Sequence, residues 1–132
     1  MLRITRKLAD IVINHACAGF PLEVCGIMGG TKGVVASIFR MTNTDQSNEH
    51  FTMDPKEQFA AMKEIRARGE EMLAIYHSHP ESPARPSAED IRLALTPGVS
   101  YIIVSLEKAN SPVLKSFQIT EGRFEPEEVE YQ

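Results

Sequence analysis

The sequence predicts an α/β fold in which helices flank and pack on one mixed β-sheet. Three observations support this class. Apolar residues recur at helical spacing in two long segments. Short β-favouring apolar runs lie between and after these segments, and glycine and proline separate them. The chain has 132 residues, which is enough to bury one ordinary core, so we expect one domain over residues 1–132.

The predicted elements alternate between helix and strand along the chain. Asp54 and Pro55 give a typical helix start, with Asp54 as N-cap. Glycines at 29, 30 and 33 suggest a turn between two hairpin strands. In chain order we expect a helix over 4–18, strands over 23–29 and 33–41, a surface loop over 42–50, a short extended segment over 51–54, a helix over 55–69, a buried strand over 72–79, a short helix from 87 ended by Pro97-Gly98, and strands over 101–106, 113–120 and 124–131.

The composition is that of a soluble globular protein, with 42% hydrophobic and 24% charged residues. No apolar run approaches the ~20 residues needed to cross a bilayer, so we expect a cytoplasmic protein with no membrane partner. The net charge of −4 argues against nucleic acid as the main partner. Five glutamates and one arginine follow from Glu121 onward. We expect a solvated acidic face there, and contact with a basic partner is the alternative.

One short segment decides the functional interpretation. His77 and His79 end the predicted strand over 72–79, and residues i and i+2 of a strand face the same side. Both imidazoles can therefore reach one metal ion, while Ser78 should face the layer behind. Asp90 falls in the first turn of the next helix and can supply an oxygen ligand.

Such a ligand set is typical of a catalytic zinc site. Three protein ligands leave the fourth tetrahedral position open for water. Bound zinc lowers the pKa of that water to ~7, which produces hydroxide near neutral pH. Iron or manganese could use the same ligands, but the sequence shows no redox machinery, so zinc is the preferred metal.

Glu23 and Ser87 are candidates for the rest of the chemistry. Hydrolysis needs a base that takes a proton from water and passes it to the leaving group. Glu23 begins an otherwise apolar strand, where partial desolvation would raise its pKa. The Ser87 hydroxyl could donate a hydrogen bond to the oxyanion of a tetrahedral intermediate.

Each of these residues also has a purely structural interpretation. Glu23 alone would more often be an edge-strand glutamate in water. Ser87 and Asp90 resemble a capping box, in which both residues cap one helix. Capping is compatible with catalysis for Ser87, but an Asp90 bound to metal should not also point fully back at the cap. The catalytic interpretation is preferred because all five groups occur together, in an order that one reaction needs.

The remaining cysteines and histidines receive no such support. Cys17 and Cys25 are too few for a disulfide framework, and we expect both to be buried free thiols. A disulfide or a ligand pair is the less favoured alternative. His15 is expected to be a partly exposed helix residue and His50 a loop residue.

At these positions the chain resembles the JAMM, or MPN-plus, metalloproteases. That family shows an upstream glutamate, then His-x-His-Pro, six residues, a serine, two residues and an aspartate. The likeness spans nearly the whole chain, including the region over 43–55. The pattern is matched with no departure in spacing at Glu23, His77, His79, Pro80, Ser87 and Asp90.

The resemblance implies a cytidine-deaminase-like JAMM/MPN fold and a division of roles within the site. His77, His79 and Asp90 would bind one zinc ion per chain. Glu23 would be the general acid and base, and Ser87 would stabilise the intermediate.

The short chain resembles the compact prokaryotic branch of the family. Eukaryotic members remove ubiquitin from lysine side chains and usually carry insertions for which this chain has little room. Prokaryotic members are associated with ubiquitin-like β-grasp proteins, including sulfur carriers. The resemblance therefore implies a zinc-dependent peptidase or isopeptidase that cuts after the C-terminal Gly-Gly tail of such a protein. The segments over 42–50 and 81–86 are candidate walls of its groove.

Two other classes of function are weighed against this one. Relatives without the motif are scaffolds, and an intact site can stay silent until a partner opens it, so a non-catalytic or partner-activated binding module is the main alternative. The complete ligand set favours the enzyme. A DNA-repair-associated branch of the same fold is disfavoured by the acidic balance, and a zinc deaminase by the absence of the H-x-E and P-C-x-x-C elements.

Overall fold

The computed structural model describes residues 1–108 and 110–132, and it shows the predicted mixed sheet with helices packed on it. The strands of this described part form one sheet in the order β7-β6-β5-β4-β2-β3-β1-β8. The elements are β1 (Leu2–Ile4), α1 (Arg6–Gly19), β2 (Cys25–Thr31), β3 (Val34–Met41), α2 (Pro55–Ala67), β4 (Glu71–His79), α3 (Ala88–Arg92), β5 (Ser100–Ser105), β6 (Val113–Thr120), β7 (Arg123–Glu127) and β8 (Val129–Tyr131).

The two edges of the sheet meet at one residue. β7 pairs with β6 and β8 pairs with β1, yet only Glu128 separates β7 from β8. Eight strands laid flat would hold their edges about 34 Å apart at ~4.8 Å per strand, while one residue spans only about 3.5 Å. The sheet therefore curls until its edges join. The single strand predicted over 124–131 is wrong in this respect, because its two halves belong to opposite edges.

Helix α1 packs on one face of the curled sheet. Thr5 caps its start by accepting a hydrogen bond from the amide of Leu8, so the helix begins two residues later than predicted. Its buried stripe is Ala9, Val12 and Ala16. The strand residues that meet this stripe include Met28, Ala74, Tyr76, Ile102 and Val104.

The opposite face of the sheet carries α2, α3 and the loops between them. Asp54 caps α2 by accepting from the amides of Lys56 and Glu57, as predicted. Helix α3 is shorter than the apolar pattern suggested. It ends at Arg92, and the following Leu93 and Leu95 are 57% and 80% exposed. The pattern overextended the helix because only part of this apolar segment contacts the sheet.

The hairpin between β2 and β3 turns later than predicted. Its turn is Lys32-Gly33, where both residues have positive φ (53° and 75°), as a two-residue turn requires. Gly29 and Gly30 instead lie within β2, at a register shift in the ladder. A side chain at Gly30 would collide with the carbonyl oxygen of Val34. These two glycines let neighbouring segments approach β2 closely, and they are not part of the turn.

Both cysteines are free thiols, as predicted, but only Cys25 is buried. Burial raises the pKa of Cys25 to about 12, which makes it unreactive. The expectation of burial for Cys17 is wrong, because it follows the buried Ala16 by one position on α1 and so lies about 100° further round, in solvent. None of the helices in the described part of the chain is long and apolar enough to cross a membrane.

Candidate metal centre

Strand β4 presents both histidines on one face, as the alternation predicted. β4 lies between β2 and β5, so it is covered by neighbours on both edges. His77 and His79 are 3% and 5% exposed on the face away from α1. Ser78 between them is fully buried on the other face. The strand ends at His79, directly before Pro80.

Asp90 reaches the histidines from the first turn of α3. Ser87 caps this helix by accepting from the amide of Asp90 at 3.0 Å, and Asp90 Oδ2 accepts from the amide of Ser87 at 2.9 Å. The predicted capping box is therefore present. Capping does not turn the Asp90 carboxylate away from the histidines. The same oxygen, Oδ2, faces both histidines and accepts the capping bond.

The three potential ligand atoms converge on one point. Nε2 of His77 lies 3.1 Å from Nε2 of His79, and Oδ2 of Asp90 lies 3.2 Å and 3.0 Å from these two nitrogens. Ligands about 2.0–2.1 Å from a tetrahedral ion stand about 3.3 Å apart. The structure therefore brings the three predicted ligands together at the separation that a zinc ion needs.

The hydrogen bonds around His79 orient its free nitrogen toward this point. Nδ1 of His79 lies 2.8 Å from the carbonyl oxygen of Pro83, which can only accept, so Nδ1 carries the hydrogen. In the neutral ring, Nε2 then presents a lone pair to the Asp90 carboxylate. Two acceptors 3.0 Å apart repel each other unless a proton or a metal ion lies between them. This arrangement of donors fits a divalent cation.

The charges within the cluster shift both partners in the direction expected of an ion pair. Burial lowers the pKa of His79, but the hydrogen bonds to Asp90 and Pro83, together with the charges of Asp90 and Glu23, raise it overall. Burial likewise raises the pKa of Asp90, while the hydrogen bonds from His77 and His79 outweigh it and lower it. The Asp90 carboxylate is therefore ionised at neutral pH, as a metal ligand must be.

Phe51 holds the ring of His77, a contact that the sequence did not predict. The two rings stack with centroids 4.7 Å apart and planes inclined by 23°. Phe51 lies in the loop between β3 and α2, within the segment predicted to be short and extended. An isolated bridge pairs Asn43 with Met53 within this loop.

Glu23 is enclosed beside the cluster of His77, His79 and Asp90. It is 6% exposed, and its Oε1 finds no hydrogen-bond partner among the residues that the structure describes. Burial raises the pKa of Glu23 to about 8, and the charges of His79 and Asp90 also act on it. The alternative of a solvent-exposed edge-strand glutamate is wrong. The predicted desolvation and its raised pKa are confirmed.

The two other histidines lie where the sequence placed them. His15 is a half-buried residue of α1, and its Nδ1 lies 2.7 Å from the hydroxyl of Tyr76. His50 is in the loop after β3, but it also pairs with Glu89 of α3 at 2.7 Å. The hydrogen bond to Glu89 raises the pKa of His50. This pair joins the loop to the helix that carries Asp90.

A small, mostly apolar cavity of about 40 Å³ lies beside His77 and Asp90. Part of the predicted groove wall, Glu49 and His50, lines it. The segment over 83–85 lines a separate groove on β6 to β8 instead. The other residues of the small cavity are Phe51, Glu89, Leu93, Tyr101, Ile103 and Ile119.

Comparison with known proteins decides the family. Residues 5–120 match the family described as prokaryotic homologs of the JAB domain. The chain belongs to this family. The resemblance to the compact prokaryotic JAMM branch is confirmed, and so is the predicted class of enzyme, a metallopeptidase of the JAMM type.

Two relatives of this JAB-domain protein carry names that describe an activity. A CysO-cysteine peptidase of Mycobacterium tuberculosis is 30% identical over 131 residues, which cover 98% of this chain and 90% of the relative. A probable TtuB-protein conjugate cleaving protease of Thermus thermophilus is 30% identical over 124 residues, covering 93% and 79%.

Solved structures agree with the fold. A protein from Desulfitobacterium hafniense superposes with a TM-score of 0.91 at 43% identity, covering 100% of this chain and 93% of that chain. A JAB1/MPN domain protein from Archaeoglobus fulgidus superposes with a TM-score of 0.67 at 23% identity, covering 99% and 97%. The expected MPN fold is confirmed.

Proposed function

We propose that this JAB-domain protein is a zinc-dependent peptidase or isopeptidase that cuts after the C-terminal Gly-Gly tail of a ubiquitin-like or sulfur-carrier β-grasp protein. The observation that carries the proposal is the convergence of three ligand atoms, 3.0 to 3.2 Å apart, next to a buried carboxyl group. A pure scaffold would not need this complete set of ligand atoms.

His77, His79 and Asp90 would hold the ion. Zinc bound there would supply the Lewis acidity that brings the pKa of a water molecule near neutrality. Glu23 handles the proton. A carboxyl group with a pKa of about 8 can both accept and return a proton near neutral pH, so it can carry one from water to the leaving nitrogen.

Ser87 supports the charge that develops on the substrate. Its oxygen accepts the amide hydrogen of Asp90 at 3.0 Å, which leaves its own hydrogen free to donate. Ser87 is exposed, so a substrate carbonyl can reach it. A hydrogen bond to the oxyanion would stabilise the tetrahedral intermediate more than the ground state.

The substrate class rests on the narrow site and on the named relatives. Two glycines let a backbone approach the ligand cluster closely, because they carry no side chains. The relatives are named for acting on CysO-cysteine and on TtuB-protein conjugates. We infer that this chain cleaves a bond of the same kind, at the tail of a small protein.

The test combines metal analysis with cleavage. The substrate is a β-grasp protein bearing residues beyond Gly-Gly, and the same protein with Ala-Ala in place of Gly-Gly is the control. We expect one zinc per chain and cleavage after Gly-Gly only. Glu23→Ala should keep zinc and lose turnover, while Asp90→Ala should lose both.

Three results would contradict the proposal. Cleavage by Asp90→Ala would remove this residue from the ligand set, and a zinc-free Glu23→Ala would contradict the division of roles. One equivalent of zinc without cleavage of any Gly-Gly substrate would favour the binding module instead.

A further inference from the structure

The segment that carries Glu23 lies outside the regular sheet. Strand β2 begins at Cys25, and its ladder with β4 starts at the pair Cys25 and His77. Glu23 and Val24 therefore lack the regular ladder that fixes the rest of β2. The tip of the Glu23 side chain is not anchored either, since Oε1 has no hydrogen-bond partner among the described residues. The position of its carboxyl group must be set through the backbone.

Ser78 holds this backbone from β4. The amide of Val24 donates to Oγ of Ser78 at 2.8 Å, and the amide of Ser78 donates to the carbonyl oxygen of Val24 at 3.0 Å. In a regular antiparallel pair the first bond would go to the carbonyl of Ser78. The fully buried hydroxyl takes that place. The residue between the two histidines thus fixes the residue that follows Glu23.

Asn43 holds the same segment from the loop after β3. Its Nδ2 donates to the carbonyl oxygen of Glu23 at 3.0 Å and to that of His50 at 2.9 Å. Its Oδ1 accepts from the amides of Asp45 at 3.0 Å and Thr52 at 3.1 Å. One amide side chain therefore uses its full hydrogen-bonding capacity to tie Glu23 to the loop.

The same loop completes the contact. The amide of Glu23 donates to the carbonyl oxygen of Ser47 at 2.8 Å. Phe51 lies between His50 and Thr52, which both bond to Asn43, and it stacks on His77. The loop thus connects the backbone of the acid–base residue with one ring of the ligand cluster. A shift of the loop would move Glu23 relative to His77.

We propose that Ser78 and Asn43 are positioning residues, which act on the reaction by holding the backbone of Glu23 at a fixed place beside the ligand cluster. This inference rests on the proposed function of Glu23. A proton carrier loses rate steeply when it is displaced, and a misplacement of about 1 Å can cost ~100-fold. In the described part of the chain, neither side chain makes a hydrogen bond to the ligand atoms of His77, His79 or Asp90.

The test replaces each contact with the least change of shape. Asn43→Asp keeps the acceptor for Asp45 and Thr52 and loses the donor to Glu23. Ser78→Ala removes the acceptor for Val24, and Ser78→Thr restores a hydroxyl. Thr5→Ala is the matched control, because Thr5 also accepts a hydrogen bond from a backbone amide, that of Leu8 at the start of α1, and makes no hydrogen bond to Glu23.

We expect kcat to fall about 10- to 100-fold in Asn43→Asp and Ser78→Ala, with KM and zinc content unchanged. Ser78→Thr should recover most of the loss, and Thr5→Ala should keep kcat within about twofold of wild type. In a Glu23→Gln background neither substitution should reduce kcat further, because both act through Glu23. Full kcat in both folded variants, or additive losses in that background, would overturn the inference.

Amide hydrogen exchange tests the contact without any substrate. The Val24 amide should be protected in the wild-type protein and should exchange at least about tenfold faster in Ser78→Ala. An unprotected Val24 amide in the wild type would overturn the inference. If Ser78→Ala fails to fold, Asn43→Asp still decides it, since Asn43 lies in a partly exposed loop. Failure of the proposed function would show differently, as wild-type protein that protects Val24 but cleaves no Gly-Gly substrate.

Discussion

Glu23 and Glu127 are both enclosed carboxyl groups, at different places on the same sheet, and they differ in the donors around them. Oε1 of Glu127 accepts from the hydroxyls of Ser100 and Ser116. Its Oε2 accepts from Gln118 at 2.9 Å and from the N-terminal ammonium group at 3.5 Å. Oε1 of Glu23 has no such donor in the described part of the chain.

The difference in donors reverses the effect of burial on acidity. Burial raises the pKa of Glu23 to about 8. Burial also raises the pKa of Glu127, but the hydrogen bonds from Ser100, Ser116 and Gln118 outweigh it and lower the pKa overall. A satisfied carboxylate stabilises the sheet and stays ionised. An unsatisfied one keeps a proton within reach of neutral pH, which is what proton transfer requires.

The largest expected effect is a difference in activity between the glutamine variants of Glu23 and Glu127. Glu23→Gln should lower kcat by about 10²- to 10⁴-fold with zinc retained, because the amide cannot carry a proton. Glu127→Gln, the matched control, should leave kcat unchanged. Cleavage assays and metal analysis on both variants check this. Equal losses in the two variants would mean that the glutamates do not differ in role.

For stability the order should be reversed, with Glu127 contributing more than Glu23. Glu127→Ala removes the acceptor for two buried serines, so the free energy of unfolding should fall by about 2–4 kcal/mol in urea titrations. Glu23→Gln should be neutral or slightly stabilising near pH 7, because the amide resembles the protonated acid. A destabilisation by Glu23→Gln as large as that by Glu127→Ala would contradict the contrast.

The hydrogen bond from Ser116 alone should account for part of the stability that is lost in Glu127→Ala. Ser116→Ala removes one hydrogen bond to Oε1 and leaves the bond from Ser100 in place. We expect a loss of about 1 kcal/mol in the free energy of unfolding. The Ser116→Ala/Glu127→Ala double variant should lose less than the sum of the two single losses. Strict additivity would show that this hydrogen bond contributes nothing to stability.

The cluster of His77, His79 and Asp90 could be predicted from the sequence because the residues that form it are close together in the chain. His77 and His79 share a face by strand alternation, and Asp90 follows at the start of a helix that its own neighbour Ser87 caps. All of these residues lie within the 14 positions from His77 to Asp90. Their role as zinc ligands stays a prediction, but their convergence required no knowledge of distant pairing.

The surroundings of both glutamates could not be predicted in the same way, because they depend on pairing between segments that are far apart in the chain. Glu127 was expected to be part of a solvated acidic end. It is enclosed because the strand predicted over 124–131 divides at Glu128 and joins both edges of the sheet. The contacts of Asn43 and Phe51 likewise need the loop after β3 to fold over β4. Hydrophobic periodicity describes one element at a time and carries no information about which strands pair.

The last prediction concerns pH and gives the two glutamates opposite signs. The folded pKa of Glu127 is lowered from 4.5, so its contribution to stability is present above about pH 4.5 and is lost as the pH falls through the lower folded value. The folded pKa of Glu23 is raised from 4.5 to about 8. The folded state then binds the extra proton, and the free energy of unfolding declines as the pH rises from about 4.5 to 8.

Urea titrations from pH 3 to 9, with chelator present, should therefore give two different curves when wild type is compared with each glutamine variant. The wild-type protein should lose its advantage over Glu127→Gln toward acid pH, and it should lose stability relative to Glu23→Gln toward alkaline pH. Curves that slope in the same direction would show that donor number does not decide how the protein uses a buried carboxyl group.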